Sequence, residues 1–486
     1  MLKFLDRISI HTWRKLALFG LALAILLPLG IGLKLKFWQL FAAPLAVVAG
    51  LLVVYDYKPL FYLMVAAIPL SIQWEVADGF TLDVATEPLM LVFLVVFILD
   101  WLAGRQFKRE RKIYPFHLLI FLILFWTAFT TLTSEYPFRS FKFLLAKVWY
   151  LAAFIYMGEK IIQDPKQIPR LFWTFFIPLL LVVIIITIQH GLEGFSFETA
   201  HNIPMPFFAN GVVYAATLVL FLPWCWYART WYNPKSLEWY IIIAGTLLIA
   251  FATILTFKRG AWLALVLLPF IDLVIKRRLF DKLIYVGIVF TTLILGWLIN
   301  DNKFYEFAPN YQKTVWHEGD LTGHLQATIS GTEISSMERF YRWVAAKNMI
   351  ADLPLTGSGP STFNQVYKRY TDDAFRTYVS DNPEQSTTHN YFLQTFSEQG
   401  ILGGLLFIGL CLYMLLKAAR LYPLMPDARS RSYLMMALLS LITILFHSLL
   451  NELIEVDKIG AMFWLNLLIL HLLEKWHESG KLSQTP

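Results

Sequence analysis

Long apolar runs separated by short charged loops dominate the pattern of this chain. Many runs reach about 15 to 20 residues, the length that a helix needs to cross roughly 30 Å of hydrocarbon. The pattern predicts an all-α polytopic membrane protein with about fourteen spans, and twelve or thirteen are the alternatives because residues 1–75 are less regular. The predicted spans lie at about 16–33, 37–55, 60–74, 88–102, 114–133, 143–157, 171–188, 212–227, 240–256, 261–275, 283–299, 401–416, 433–450 and 459–473.

Basic residues fall in alternate loops, which sets the predicted orientation. Lys and Arg collect on the cytoplasmic side of membrane proteins, so both termini are predicted to be cytoplasmic. We expect an N-terminal membrane region over 1–299 with about eleven spans, a periplasmic loop over 300–389, and a C-terminal region over 390–486 with about three spans and a short cytoplasmic tail.

The long polar segment carries helical patterns of its own. Ser335 and Glu338 have the spacing of a capping box, which predicts a helix over about 337–351. Its apolar residues recur at helical spacing, and the segment 363–376 predicts one further helix or two short ones. We therefore expect the loop to be folded. The predicted buried stripe of the first helix is Met337, Phe340, Tyr341, Val344 and Met349.

The composition supports a membrane protein and argues against two other classes. The 486 residues are 57% hydrophobic and 15% charged, whereas soluble domains have about 25% charged residues. The net charge of +7 comes from the short loops, so no nucleic-acid partner is expected. The sequence shows no Walker motif and no metal-binding motif, so no cofactor and no metal are expected.

His389 is the first candidate for chemistry because it lies where the polar loop passes into an apolar run. A neutral imidazole can take a proton from a hydroxyl near neutral pH, so His389 can serve as a general base at a membrane surface. The alternative is a structural histidine that caps the next helix or bonds Glu398. The residues alone leave both open.

Several cations are predicted on the same side of the membrane. Arg259 and Lys258 lie in a very short turn, where a guanidinium binds phosphate with two hydrogen bonds or anchors the chain to headgroups. Lys147 lies about a turn inside a span, where we expect it to pair with an acidic residue such as Glu135 or to face a cavity. The other candidate cations are expected either to bind phosphate or to pair with carboxylates. These candidates are Arg139, Lys142, Arg339 and Arg342.

Three short stretches occur in the order in which one known family has them. TFKRGAW at 256–262 is similar to its Ser-Arg-Gly turn, with Lys258 where serine is common. The stretch 338–363, with its DLPLTGSGP sequence, is similar to the family's loop signature. HNYFLQ at 389–394, with the following Glu398, is similar to the family's His-Asn and Glu-x-Gly signature. Over about 115–475 the chain therefore resembles the O-antigen ligase and O-antigen polymerase superfamily of bacterial envelope glycosyltransferases.

The resemblance implies a metal-independent, inverting glycosyltransferase in the bacterial inner membrane with a periplasmic site. It implies an undecaprenyl-pyrophosphate-linked glycan as donor and His389 as the base for the acceptor hydroxyl. Arg259 would hold the pyrophosphate, Arg339 or Arg342 would support the donor, and Asn390 and Glu398 belong to the matching signature. The family often has an arginine after span 7, where this chain has none, so either His201 or another cation compensates or the donor group is held differently.

The sequence does not separate two activities of this superfamily, which use the same kind of donor. The leading hypothesis is a ligase that moves the glycan onto a lipid A–core acceptor, and the alternative is a polymerase that extends a growing glycan. A transporter of polysaccharide or lipid is the alternative from another class, and membrane lipids surround the chain in every case.

Overall fold

The computed structural model describes residues 56–77, 80–103, 112, 114–308, 334–377, 380 and 387–484. The predicted spans 16–33 and 37–55 lie outside these residues. Nine helices in the described part are long and apolar enough to cross a membrane. The chain is therefore an α-helical polytopic membrane protein, and the total of about fourteen spans stays a prediction.

Each predicted span between residues 88 and 473 coincides with a helix. The first membrane helices are α1 (Lys58–Ala67), α2 (Thr86–Leu102), α3 (Pro115–Leu132), α4 (Pro137–Tyr150), α5 (Gln167–Leu192), α6 (Gly211–Ala228), α7 (Leu237–Leu255), α8 (Arg259–Lys276) and α9 (Phe280–Ile299). After a π-helical segment, Leu151–Met157, α4 continues as Gly158–Ile161. The loop helices are α10 (Ile334–Asp352) and α11 (Phe363–Val366), and the last spans are α12 (Tyr391–Leu421), α13 (Ala428–Ser448) and α14 (Asp457–Glu478).

The expectation of a span over 60–74 needs a correction. The helix α1 and one 3₁₀ turn end at Leu70, and a β-hairpin follows, formed by β1 (Ile72–Ala77) and β2 (Phe80–Val84). The strands pair antiparallel, with Ile72 opposite Val84. Ten helical residues rise only about 15 Å, so α1 by itself is too short to cross the hydrocarbon layer.

The buried centre of the membrane region is formed by α6, α13 and α14. Between 78% and 94% of the most apolar 18-residue stretch of each helix is buried, whereas none of the corresponding stretch of α9 is buried. A polar chain joins the three helices: Trp224 Nε1 donates to Asn466 Oδ1 at 3.0 Å, and Asn466 Nδ2 donates to Ser440 Oγ at 2.8 Å. Hydrogen bonds of this kind hold membrane helices together at fixed rotations.

A buried carboxylate ties the hairpin region to the start of α14. Asp457 accepts hydrogen bonds from Ser71 Oγ at 3.0 Å, Thr86 Oγ1 at 2.8 Å and the Tyr150 hydroxyl at 3.0 Å. Lys458 Nζ donates to the Ser71 carbonyl at 2.9 Å. Because both buried charges have partners, they position the start of α14 relative to α2 and α4.

The long polar loop is folded where the structure describes it. The helix α10 covers the predicted 337–351, and four residues of its predicted stripe are buried, with Phe340 half-buried beside them. Tyr341, Val344 and Met349 pack with Phe363, Val366 and Phe375 into a second apolar core. The segment 363–376 forms α11 and two 3₁₀ turns, in agreement with the expected short helices.

Candidate active site

His389 lies in a strained turn immediately before α12. Its φ is +50°, a left-handed conformation that costs a residue with a Cβ of order 1 kcal/mol. Two contacts hold the turn: Trp343 Nε1 of α10 donates to the Thr388 carbonyl at 3.0 Å, and Asn390 Nδ2 donates to the Leu449 carbonyl at 3.2 Å. The loop and the end of α13 thus fix the direction of the imidazole.

Asn390, rather than His389, caps the helix. Its Oδ1 accepts from the backbone N–H of Leu393 at 3.0 Å, which satisfies one of the free amides of the first turn. The structural alternative for His389, that it caps α12, is therefore wrong. Asn390 stays next to the imidazole as a positioning residue, not as an observed binder of substrate.

A carboxylate that the sequence reasoning missed faces the imidazole. Glu452, between α13 and α14, places Oε2 3.7 Å from His389 Nδ1, and the two side chains are 30% and 25% exposed. Asn451 adds a side-chain hydrogen bond to His389. A carboxylate beside one ring nitrogen selects the tautomer that leaves the other nitrogen free to accept a proton. The sequence signal was the polar stretch NELIEVDK at 451–458 between two apolar runs.

The environment of His389 keeps the imidazole neutral. Burial lowers its pKa below the ordinary value, Arg342 and Arg339 act in the same direction, and the carboxylate of Glu452 opposes them. A pKa below the ordinary value favours the unprotonated ring at neutral pH. His389 is therefore in the form that can accept a proton.

Glu452→Gln is expected to shift the acid limb of the pH–rate profile to lower pH. The carboxylate raises the pKa of His389, so its removal lowers that pKa, and protonation then stops the reaction only at a lower pH. The maximal rate should fall by about tenfold or more, since the ring loses its orienting partner. The measurement is the transfer rate in vesicles between about pH 4.5 and pH 8, a range that includes the ordinary pKa of imidazole. A purely structural Glu452 predicts a slower enzyme with an unmoved limb.

Two arginines of α10 lie close to His389. Arg342 Nη2 is 3.2 Å from Glu338 Oε2, and Arg339 is half-buried on the same helix. Glu338 also accepts from Ser380 Oγ at 2.6 Å and from Thr377. Both guanidinium groups act electrostatically on His389, so α10 brings positive charge to the imidazole. Arg342 thus pairs with a loop carboxylate, which was one of its two expected alternatives.

Glu398 lies below the site and anchors the segment between α10 and α11. This segment, residues 353–362, is called the glycine-rich loop. Glu398 is 2% exposed, and its carboxylate accepts from the backbone N–H groups of Ser361 at 2.8 Å and Phe363 at 2.9 Å. Its carbonyl accepts from Gly359 N at 2.8 Å. These contacts lock the start of α12 to the segment between α10 and α11, so the two signature stretches fold against each other.

The turn with Lys258 and Arg259 reaches the same neighbourhood from α8. Arg259 is the first residue of α8 and is half-buried, and a Cβ on Gly260 would lie 3.1 Å from Leu450 Cδ1. Leu450 follows Leu449, whose carbonyl holds Asn390. The turn of Arg259 therefore packs against the segment that carries Glu452.

His201 does not supply the missing positive charge. Lys258 Nζ lies 3.4 Å from His201 Nδ1, and burial together with Lys258 lowers the pKa of this histidine. An imidazole with a pKa below 6.5 is neutral at pH 7. Burial and the neighbouring Arg259 likewise lower the pKa of Lys258.

Lys147 has a different partner from the expected one. Its Nζ lies 2.5 Å from Glu455 Oε1 and 3.3 Å from the Tyr391 hydroxyl, while Glu135 pairs with Arg369 at 2.8 Å. The proposed Glu135 pairing is therefore wrong, because the turn before α14 brings Glu455 to Lys147. Lys147 also lines a small cavity of about 40 Å³, in agreement with the other expectation.

Arg139 and Lys142, on α4, are not among the groups described as acting on His389. Arg139 is exposed at the start of α4, and Lys142 is close enough to Glu87 of α2 to interact electrostatically. The structure therefore gathers His389, Arg339, Arg342 and Glu452, with the Arg259 turn adjacent, and leaves this pair to one side.

The arrangement can move a proton next to a bound anion. Its imidazole is neutral and oriented, and the guanidinium groups beside it are suited to phosphate. Residues 244–408, which are 165 of the 486, match a family model described as O-antigen ligase. No curated protein matches the chain. The family match spans the Arg259 turn, α10 and His389, and it confirms the resemblance to the O-antigen ligase and O-antigen polymerase superfamily.

Proposed function

We propose that this membrane protein, which carries an O-antigen ligase domain over 244–408, transfers a glycan from an undecaprenyl-pyrophosphate carrier to a lipid A–core acceptor. The placement of His389 carries this proposal. Its imidazole lies between the carboxylate of Glu452 and the guanidinium groups of α10, inside the matched segment. The reaction takes place at the periplasmic face of the bacterial inner membrane, with both termini in the cytoplasm.

The geometry supports the following course of the reaction. With Nδ1 facing Glu452, Nε2 of His389 accepts the proton of the acceptor hydroxyl. The hydroxyl oxygen attacks the anomeric carbon of the donor as the bond from that carbon to the pyrophosphate breaks, with inversion. The leaving group keeps the electron pair, and Arg259, Arg339 and Arg342 stabilise its negative charge.

An apolar cavity beside the site supports a lipid-linked donor. It measures about 310 Å³ and lies between α8, α9, α12 and α13. One end is formed by Phe392 and Leu449, which neighbour Asn390, and the lining continues to Leu415. From Ile408 to Leu415 the lining of α12 rises about 10 Å, so the cavity extends from the site into the membrane. A polyprenyl chain seated there would hold its pyrophosphate near Arg259.

A deletion strain and a purified system test the proposal together. Loss of a ligase leaves long polymer on the lipid carrier, so we expect that product in the deletion strain; single repeat units would assign a polymerase instead. In vesicles, the purified chain should join the glycan to lipid A–core and should act more slowly on a donor with a short two-isoprenoid carrier. Absence of transfer to either acceptor, together with altered lipid transport, would leave the transporter as the correct class.

A further inference from the structure

Two histidines and a glutamate from three separated helices meet at the end of the bundle opposite to His389. His117 lies in the first turn of α3, Glu159 in the last turn of the α4 continuation, and His471 near the end of α14. His117 Nε2 lies 2.5 Å from Glu159 Oε1, and His471 Nε2 lies 3.5 Å from the same oxygen. One ligand atom from each residue lies within 4.8 Å of the other two.

The burial of His471 sets this cluster apart from an ordinary surface ion pair. Its side chain is 0% exposed, and neither ring nitrogen has a hydrogen-bond partner among the described residues. Buried polar groups without partners are rare in proteins and call for an explanation. The separation of 3.5 Å from Glu159 is too long for a strong hydrogen bond but close to the roughly 3.4 Å between ligands of a tetrahedral metal.

Aromatic neighbours hold the buried ring in one orientation. Phe116 stacks on His471 with 4.7 Å between ring centroids and 23° between planes, and Tyr114 and His117 meet its ring edge-to-face. The Tyr114 hydroxyl donates to Glu478 Oε2 at 3.1 Å, which fixes this side of the cage. Nε2 of His471 therefore points at Glu159 without freedom to turn away.

The cluster is separate from the proposed active site. The helix α14 begins beside Glu455 and Tyr391 at the site face, and His471 follows Asp457 by fourteen residues, or about 21 Å of helix. Glu159 is likewise twelve residues, or about 18 Å, beyond Lys147. A ligand bound at the cluster does not touch the reacting groups.

We propose that His117, Glu159 and His471 bind a divalent transition metal, with Zn²⁺ as the best match. Two imidazoles and one carboxylate are ligands that Zn²⁺ takes at about 2.0–2.2 Å, and a water can complete a tetrahedral set. Binding requires His117 and Glu159 to separate by roughly 1 Å, which the half-exposed His117 allows. Lys475, 3.7 Å from Glu159 Oε2, stays on the oxygen that faces away from the metal. The metal joins α3 and α4 to α14.

The test measures Zn²⁺ binding to the full-length protein, purified in detergent with any histidine tag removed. Zn²⁺ is titrated against a chromophoric chelator, and thermal unfolding is recorded with and without the metal. His117→Ala and Glu159→Gln are the main variants, because His117 is half-exposed and its loss leaves the buried ring in place. His477→Ala, six residues after His471 on the same helix, is the matched control.

We expect one Zn²⁺ per chain, a higher unfolding temperature with the metal, and affinity at least about 100-fold weaker in His117→Ala and Glu159→Gln, since each removes one of three ligands. His477→Ala should bind as the unchanged protein does. Absence of stoichiometric binding would overturn the assignment and leave an ion pair beside a buried histidine. The same holds if His117→Ala and Glu159→Gln both bind Zn²⁺ with the affinity of the unchanged protein. The result does not depend on any transferase assay.

Discussion

His389→Ala is expected to abolish glycan transfer while the protein remains folded. A general base contributes roughly 10²- to 10⁴-fold to the rate, and alanine offers no group that can take the proton of the acceptor hydroxyl. The fold should persist, because Asn390 caps α12 and Trp343 holds the turn through a backbone carbonyl. Relief of the left-handed strain is small, since alanine also has a Cβ. Initial rates of transfer in vesicles measure the effect.

The control for this variant is His477→Ala, near the other end of the bundle. It should transfer glycan at the unchanged rate, and both variants should reach the same membrane yield and unfolding temperature. A His389→Ala protein that still transfers glycan at more than about a tenth of the original rate would remove the histidine from the chemistry. In that event another group must take the proton of the acceptor hydroxyl.

Gly400→Ala is expected to have the largest effect on stability. Gly400 has φ +69° and ψ −177°, a conformation essentially confined to glycine, inside an otherwise helical α12. A Cβ there would lie 2.0 Å from the Leu355 carbonyl oxygen, which is backbone and is tied in place because Ile401 N donates to the Pro354 carbonyl at 2.8 Å. Strain and overlap together should cost at least about 3 kcal/mol. Thermal unfolding and membrane yield measure the loss.

Gly409→Ala is the matched control on the same helix. Nothing lies within 4 Å of a Cβ at Gly409, so alanine there should leave stability unchanged or raise it slightly. The comparison separates the interlock at Gly400 from a general intolerance of α12 to substitution. Equal stability of the two variants would mean that the break in α12 and its contact with the glycine-rich loop are not needed for folding.

The interlock also explains why the signature stretches occur together. The segment after α10 and the start of α12 share hydrogen bonds from Gly359 and Ser361 to Glu398 and from Ile401 to Pro354, although about forty residues separate the two segments. These contacts fix the position of α12 along its axis. They therefore also fix the position of His389, which precedes the first turn of α12. A change in the glycine-rich loop should therefore reach the imidazole through backbone contacts.

Most of the fold between residues 88 and 473 could be predicted from the sequence, because the hydrocarbon layer demands long apolar helices. The hairpin at 72–84 was missed, although apolar and polar residues alternate over 72–76 and 80–84 around Asp78-Gly79, which is a local strand and turn signal. Its place against α14 depends on Asp457, almost four hundred positions away. The helix α10 was predicted within three residues at its start and one at its end. The apolar spacing and the Pro and Gly residues of the following DLPLTGSGP stretch are local signals, and they suffice to predict a helix such as α10.

The site was predicted in part for the same reason. His389, Arg259, Arg339 and Arg342 carry local signatures, so the sequence alone identified them as candidates. It also determined the membrane class and the folded loop, both of which follow from composition and periodicity. Only the tertiary structure decided that Glu452 faces the imidazole, that Lys147 pairs with Glu455, and that Glu398 serves as an anchor. These pairings depend on which helix ends pack side by side, and helix packing is fixed by contacts between residues far apart in the chain.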